Sequence, residues 1–366
     1  MQGSIVERAG ARGARFSVVL RGKWYKVPDP QTKRNAELYR AQLVTEIQRG
    51  EHVEPKKTTL GEFAARWEEA RFAGWSPNTR HGYRTCLDHY LLPRLGRRQL
   101  TSLTREDVEQ WKAWMLTKYA PSTVQLGLAC LRIILSTAVE WRYLRVSPAT
   151  GVRRPASRRR DVRPLAPDQV RQLLRATTDP QWRALVLMVI TGGLRMGEAV
   201  ATKWQHLDLQ GRYYEVRESL VQRAGIKELK APKSRQSESK VRLSPACCEA
   251  LQAHRVAQVA HKLARGDYQD SGLIFAKTDG RIWEARMMTE VWWDLLDQAD
   301  LPRFRFHDLR HTCAALLIDQ GAHPKVIQEQ MRHTSIRTTF DIYGHLFPQR
   351  VEEAVEQIDA ALGLAG

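Results

Sequence analysis

Three short stretches of this 366-residue chain carry side chains able to act together on one anion. TGGLRMGEA, residues 191–199, sets a glycine break between two apolar helices and places Arg195 at the start of the second. A guanidinium there offers a planar fork, and the free N–H groups of a helix start add to its pull on an anion. In FHDLRHT, residues 306–312, His307 and Arg310 are three apart and so share a helical face, where imidazole and guanidinium can converge on one phosphate. In RHTSIRTTFDIYGHL, residues 332–346, His333 precedes Tyr343 by ten residues, with room for a turn and a short helix between them. That histidine can reach the anion that the phenol attacks. Taken singly, each stretch has a plainer reading: Arg195 paired with Glu198, a His/Arg ion pair, and a half-buried packing tyrosine.

The elements that must position these residues can be read from caps and apolar spacing. Residues 1–27 hold Arg8, Arg12, Arg15, Arg21, Lys23 and Lys26 against Glu7 alone, interleaved with β-branched and aromatic residues, which predicts short basic strands. A helix from Lys33 to a glycine cap at Gly50 completes a small module over residues 1–55. Four helices follow within residues 58–147, opened by Thr59, Ser76-Pro77, Thr104 and Ser122. Residues 148–163 form a basic linker in which Arg153, Arg154, Arg158, Arg159 and Arg160 either lie along phosphates or form a solvated hinge. Beyond Pro164 the pattern gives a helix from Asp168, an apolar helix from Gln181 to Ile190, and strands at 213–221, 239–243 and 272–275. Long helices then follow Pro245 and Glu284. The whole is mainly α with small β-sheets.

Bulk properties narrow the partners. Lys and Arg outnumber Asp and Glu by 58 to 40, a net charge of +18, which favours a polyanion. The N-terminus lacks the apolar stretch of a signal peptide, and the longest apolar run, 184–190, is too short to span a bilayer, so a cytoplasmic, DNA-associated protein with no membrane partner is expected. The five cysteines, with no C-x-x-C spacing, read as buried reduced thiols, and no cluster has metal-ligand spacing.

The three motifs, in this order and at these separations, resemble the tyrosine recombinases, or phage-type integrases. The likeness is most specific over residues 164–350 and covers the chain in outline, with residues 1–55 resembling an arm-type DNA-binding module and 58–147 a core-binding domain. It implies that Arg195 and Arg310 clamp the phosphate, His307 opens the H-x-x-R motif, His333 fills the later His/Trp position, Tyr343 is the nucleophile and Glu198 braces the first arginine. APKSR at 231–235 resembles the hairpin that carries the catalytic lysine; Lys233 is the choice, with Lys230 and Lys240 as competitors. Arg332 departs from the glycine common before the histidine, which bears on the local turn and adds a base near DNA. Arg12, Arg15, Arg21 and Lys23 would join the linker arginines on DNA.

The chemistry implied needs no metal and no nucleotide cofactor. A phenol with a reference pKa of about 10 needs a base or cationic surroundings, which His307 or His333 and two guanidinium groups would supply. Lys233 would protonate the leaving 5′ oxygen, and the 3′-phosphotyrosine would keep the bond energy for rejoining. The expected activity is site-specific integration and excision of a mobile element such as a prophage. The partners would be double-stranded DNA attachment sites, a homotetramer, and accessory DNA-bending or directionality proteins. The tail 351–366, with four acids and no bases, would form a helix docking either on its own domain or on a neighbouring subunit. A type IB topoisomerase-like transferase and an inactive DNA-binding accessory protein are the alternatives.

Overall fold

The computed structural model describes residues 3–10, 13–49, 57–156, 163–223, 226–230, 240–347 and 362. Packing divides the chain into two compact units, Met1–Arg159 and Arg160–Gly366.

In the first unit, β1 (Ser4–Gly10), β2 (Gly13–Leu20) and β3 (Lys23–Lys26) form an antiparallel sheet in that order. Phe16, Val18 and Leu20 alternate inward along β2, as the period of a half-buried strand requires, and meet Ala36 and Leu43 of α1 (Lys33–Gln48). The expected cap at Gly50 lies outside the described residues.

Helices α2 (Leu60–Phe72), α3 (Pro77–Thr85), α4 (Leu92–Leu95), α5 (Arg105–Lys118) and α6 (Pro121–Glu140) build a second core around Phe63, Trp67 and Trp111; a wide π turn, Cys86–Leu91, joins α3 to α4. Thr59 and Thr104 make reciprocal capping boxes with Glu62 and Asp107, so the backbone donors of two helix starts are satisfied as their sequences foretell. Two expected starts shift. Ser122 and Asp168 do not cap their helices: α6 begins at Pro121 and α7 (Pro167–Ala176) at Pro167. A proline whose φ is already helical takes the first position and leaves the polar residue one step inside. Helix α6 is long and apolar enough to cross a membrane by length and composition, yet Val124, Leu128, Leu131, Ile134 and Leu135 are used inside this core.

The second unit is organised on α8 (Pro180–Gly192), buried nearly all round and packed by α10 (Pro245–Ala264) and α12 (Phe306–Asp319). Between α8 and α10 come α9 (Met196–Ala199) and the strands β4 (Leu207–Asp208), β5 (Tyr213–Glu215), β6 (Ser219–Arg223), β7 (Ile226–Lys230) and β8 (Lys240–Arg242). The expected strand 213–221 is in fact two. β5 pairs with β4 and β8, whereas β6 leaves that sheet to pair with β7, a strand the charged sequence IKELK did not suggest. The strand expected at 239–243 is confined to Lys240–Arg242 among the described residues.

The run 272–275 forms no strand beyond one bridge, Lys203 to Leu273. The bridge carries backbone bonds from Trp204 N–H to the Gly272 carbonyl and from Ile274 N–H to the Thr202 carbonyl, and side chains of α10 take the next carbonyls: His254 Nε2 lies 2.6 Å from the Ile274 oxygen, and Gln258 donates to Leu273 and Ile274. An apolar run can thus be buried without a ladder when side chains satisfy its backbone. Helices α11 (Ala285–Gln298), α13 (Pro324–Met331) and α14 (Ile336–Tyr343) complete the unit. All five cysteines are unbridged and buried. The tail beyond residue 347 lies outside the described residues except for exposed Leu362.

Candidate active site

The site starts at the end of α8. Gly193 sits at φ 62°, where the chain reverses, and a Cβ there would come within 2.9 Å of Met331 Sδ. This reversal delivers Arg195 to the N-cap of α9. Gly197, one turn on, lets α9 press on β6, because a Cβ would meet the Leu220 carbonyl and Ser219 Oγ at 2.9 Å. Glu198 reaches back to accept from the Arg195 backbone N–H and from its Nη1, both at 2.8 Å. The expected brace on Arg195 is therefore present in the geometry.

The same carboxylate holds a second guanidinium. Arg332 ends α13 at φ 51°, the left-handed region where glycine is cheapest, so the turn usually made with glycine forms here at a cost of about 1–2 kcal/mol. Contrary to the expectation from the sequence, its side chain is not a base presented to DNA. It turns inward, is fully buried, and donates from Nη2 to Glu198 Oε2, while its Nε and Nη1 have no partner. Burial pushes the Glu198 carboxyl up, but the Arg332 and Arg195 charges outweigh it, and the net shift is downward.

Arg310, on α12, is also buried. Its Nη1 donates to the Gly193 carbonyl and its Nη2 to the Met331 carbonyl, tying the α8 reversal to the end of α13. Asp308 holds the start of α12 by accepting from the Arg305 backbone N–H at 2.8 Å. His307 is exposed, one turn before Arg310 and with its ring against that of His311, centroids 4.9 Å apart.

Tyr343 closes α14 and is only 1% exposed. Its hydroxyl lies 2.7 Å from His311 Nδ1. His333 stacks nearly parallel to the phenol ring at 6.4 Å, with its Nδ1 2.9 Å from Thr339 Oγ1. Burial, together with Arg310, Arg195 and Arg332, pushes His333 down to about 4, and burial with His307, Arg305 and Arg310 does the same to His311. Partial desolvation and the Arg310 charge lower His307. Burial raises the Tyr343 phenol, with Arg310 pulling the other way. Beside Arg332 and His333 opens a cleft of about 460 Å³ lined by Lys240, Arg242 and Lys325 together with Glu329.

Arg195, Glu198, His307, Arg310, His333 and Tyr343 are thus brought together, and two residues join that the motifs did not single out, His311 and Arg332 in its inward role. The spacing His307 to His311, one helical turn, is the only sequence hint of the first. Lys233 lies outside the described residues. Of its competitors, Lys230 pairs with Glu228 at 3.1 Å, and Lys240 lies 4.0 Å over the Tyr213 ring and 3.3 Å from Glu215. Arg15, Arg21, Lys23, Arg153 and Arg154 are exposed; Arg12, Arg158, Arg159 and Arg160 lie outside the described residues. Among the described residues no group of three His, Cys, Asp or Glu side chains is placed to hold a metal ion.

Residues 163–350, just over half of the chain, match the phage integrase family, and residues 59–115 match the phage integrase N-terminal SAM-like domain. The chain belongs to the phage integrase family. A tyrosine recombinase XerC-like protein of Caldanaerobacter subterraneus subsp. tengcongensis is 23% identical over 359 residues, 90% of each chain. The ICEBs1 integrase of Bacillus subtilis is 24% identical over 291 residues, 78% of each. In three dimensions the chain is similar to the Tn1549 transposon integrase bound to a circular intermediate DNA, with TM-score 0.70 and 19% identity over 83% of this chain and 99% of that one. It is also similar to a lambda integrase tetramer bound to a Holliday junction, with TM-score 0.60 and 16% identity over 92% and 93%. The fold is that of these integrases, mainly helical with small antiparallel sheets, as expected from the sequence.

Proposed function

We propose that this family member is a site-specific DNA recombinase whose nucleophile is Tyr343. Cleaving and rejoining DNA strands is the activity of its family, and the chain is an enzyme of that tyrosine-recombinase class. The observation that carries the assignment to Tyr343 is the convergence of its hydroxyl, three imidazoles and the Arg310 guanidinium in one cluster over α12 to α14, with the Arg195 charge bearing on His307 and His333.

In this reading Arg195 and Arg310 hold the scissile phosphate. Arg310 spends only one N–H of each Nη on carbonyls, which leaves three N–H groups for phosphate oxygens. Tyr343 Oη attacks phosphorus, the bond to the 5′ oxygen breaks, and Lys233 gives that oxygen its proton. Charge that develops on the non-bridging oxygens is met by Arg195, Arg310 and His333, each such donor being worth roughly 100- to 1,000-fold in rate. The 3′-phosphotyrosine keeps the phosphodiester energy, so a 5′ hydroxyl from another strand reverses the step and joins DNA without ATP. Paired attachment sites on double-stranded DNA, a homotetramer and accessory DNA-bending or directionality proteins complete the reading, as does a place on the nucleoid. The domain limits of 58–147 and 164–350, the DNA-facing roles of Arg15, Arg21, Lys23, Arg153 and Arg154, and the docking of the acidic tail belong to the same proposal. The lambda integrase tetramer on a Holliday junction supports the assembly.

The test is a denaturant-resistant protein–DNA adduct, formed in EDTA on DNA flanking the native gene, with wild type set against Tyr343→Phe. An adduct on a 3′ phosphate with wild type alone is the expected result. A DNA-bound wild-type protein that forms none, or a phenylalanine variant that forms as much, sinks the assignment.

A further inference from the structure

The three imidazoles around Tyr343 are not equivalent. His307 is exposed and touches the phenol only by way of the His311 ring. His333 lies face to face with the phenol and has its Nδ1 at Thr339 Oγ1, a hydroxyl that is itself fully buried. His311 alone of the three has a ring nitrogen at hydrogen-bond distance from the reacting oxygen, 2.7 Å, with both partners buried.

We infer that His311 is a catalytic residue, the acceptor of the Tyr343 proton. This rests on the reading of Tyr343 as nucleophile. As the Oη–P bond forms, the phenol proton passes to His311 Nδ1; the P–O5′ bond breaks with its electron pair on O5′, which takes a proton from the general acid. In rejoining, the 5′ hydroxyl gives its proton back to that group, and His311 returns its own to the departing phenolate. Charge and protons balance in each direction, and the imidazole is neutral whenever Tyr343 is free.

The surroundings suit this part. The groups that face His311 are Arg305 at the N-cap of α12, His307, Asp308 and Arg310 on that helix, His333 from the turn before α14, and Tyr343 on α14. Cations outnumber the one carboxylate, and burial acts with them, so the imidazole is held neutral at physiological pH and its Nδ1 is free to accept from the O–H. The same preference for neutrality drives the proton off again when the phenolate must leave. Sequence periodicity hides the role, since His311 sits beside Arg310 and turns about 100° away from it around the helix axis.

The experiment is single-turnover cleavage on a nicked attachment-site substrate at saturating protein, comparing wild type, His311→Asn and His311→Gln. Both variants keep a neutral, hydrogen-bonding side chain, and gel shift together with the denaturation midpoint identifies the one that remains folded and DNA-bound. Cleavage is expected to fall by roughly 100- to 10,000-fold. The variant's rate should climb steadily towards alkaline pH, where the wild-type rate has levelled off. A substrate with sulfur in place of the bridging 5′ oxygen, whose leaving group needs no acid, should leave the deficit in place. Cleavage by a folded, DNA-bound variant at the wild-type rate or faster, an unchanged pH profile, or recovery on the sulfur substrate would overturn the inference. Failure of wild type itself to form an adduct would instead strike the reading of Tyr343.

Discussion

The two halves of the site, each built mostly of buried side chains, treat charge in opposite ways. On one side three guanidinium groups, Arg195, Arg310 and Arg332, gather about Glu198 and the carbonyls of Gly193 and Met331. A guanidinium holds its proton far more tightly than an imidazole does; burial and the neighbouring arginines lower Arg310 only to about 9, so this side keeps its charge at physiological pH. On the other side His311 and His333 lose their charge to burial and to nearby cations, Arg310 acting on both and Arg195 and Arg332 on His333. The arginines thus fix a positive site for a phosphate, and their charge adds to burial, the larger cause, in keeping the neighbouring imidazoles neutral and able to take a proton. One half supplies permanent charge and the other mobile protons, and the first reinforces what burial imposes on the second.

The sharpest way to break this division is Glu198→Gln. The amide still accepts one hydrogen bond, but Arg332 is left as a buried cation with no counter-charge, and removing one member of such a pair typically costs about 3–5 kcal/mol. Urea denaturation of the full chain should show a loss of that size. A loss under about 1 kcal/mol would mean that Arg332 finds water or another acceptor, and that the carboxylate is not what holds the cationic half together.

The imidazole half makes a pH prediction. His311 and His333 sit near 4 in the folded chain and near 6.5 unfolded. Between these values the unfolded chain binds the protons, so stability is full above about pH 6.5 and falls as the pH drops toward 4. Each histidine contributes up to about 1.4 kcal/mol per pH unit in that window. Denaturation midpoints of wild type and of His333→Gln across pH 4 to 7 measure it, and the variant should show the shallower slope. Equal slopes would mean that His333 is protonated as readily in the folded chain as in the unfolded one.

How far this arrangement is legible in the sequence depends on how local each signal is. Caps such as Thr59 and Thr104, and the turn-to-turn pairing of His307 with Arg310, involve residues three or four apart, and the helices that carry them stand where spacing puts them. Ser122 and Asp168 mislead because a neighbouring proline outcompetes them for the helix start. β7 is missed because its charged sequence is made a strand only by pairing with β6, and 272–275 is misread because distant side chains of α10 replace its ladder. The two site residues overlooked have partners far along the chain: His311 meets Tyr343, 32 residues on, and Arg332 meets Glu198, 134 residues back. No periodicity reports contacts of that range, so Arg332 read as a surface base.

The smallest expected effect tests the same division from the other partner. Arg332→Gly removes a buried cation but not the last counter-charge, because Glu198 keeps both bonds to Arg195. It also places glycine at φ 51°, where the arginine backbone is strained. The lost ion pair and the relieved strain of about 1–2 kcal/mol oppose each other, so the net change in stability should stay within about 1 kcal/mol. Combined with Glu198→Gln, the glycine should recover most of what the glutamine loses, since no unpaired cation then remains in the core, and this departure from additivity is the quantity to measure. Recovery means that the two arginines share one carboxylate as charge partners. Additive losses would assign Arg332 a packing role instead, and the contrast between the two halves of the site would then rest on Arg195 and Arg310 alone.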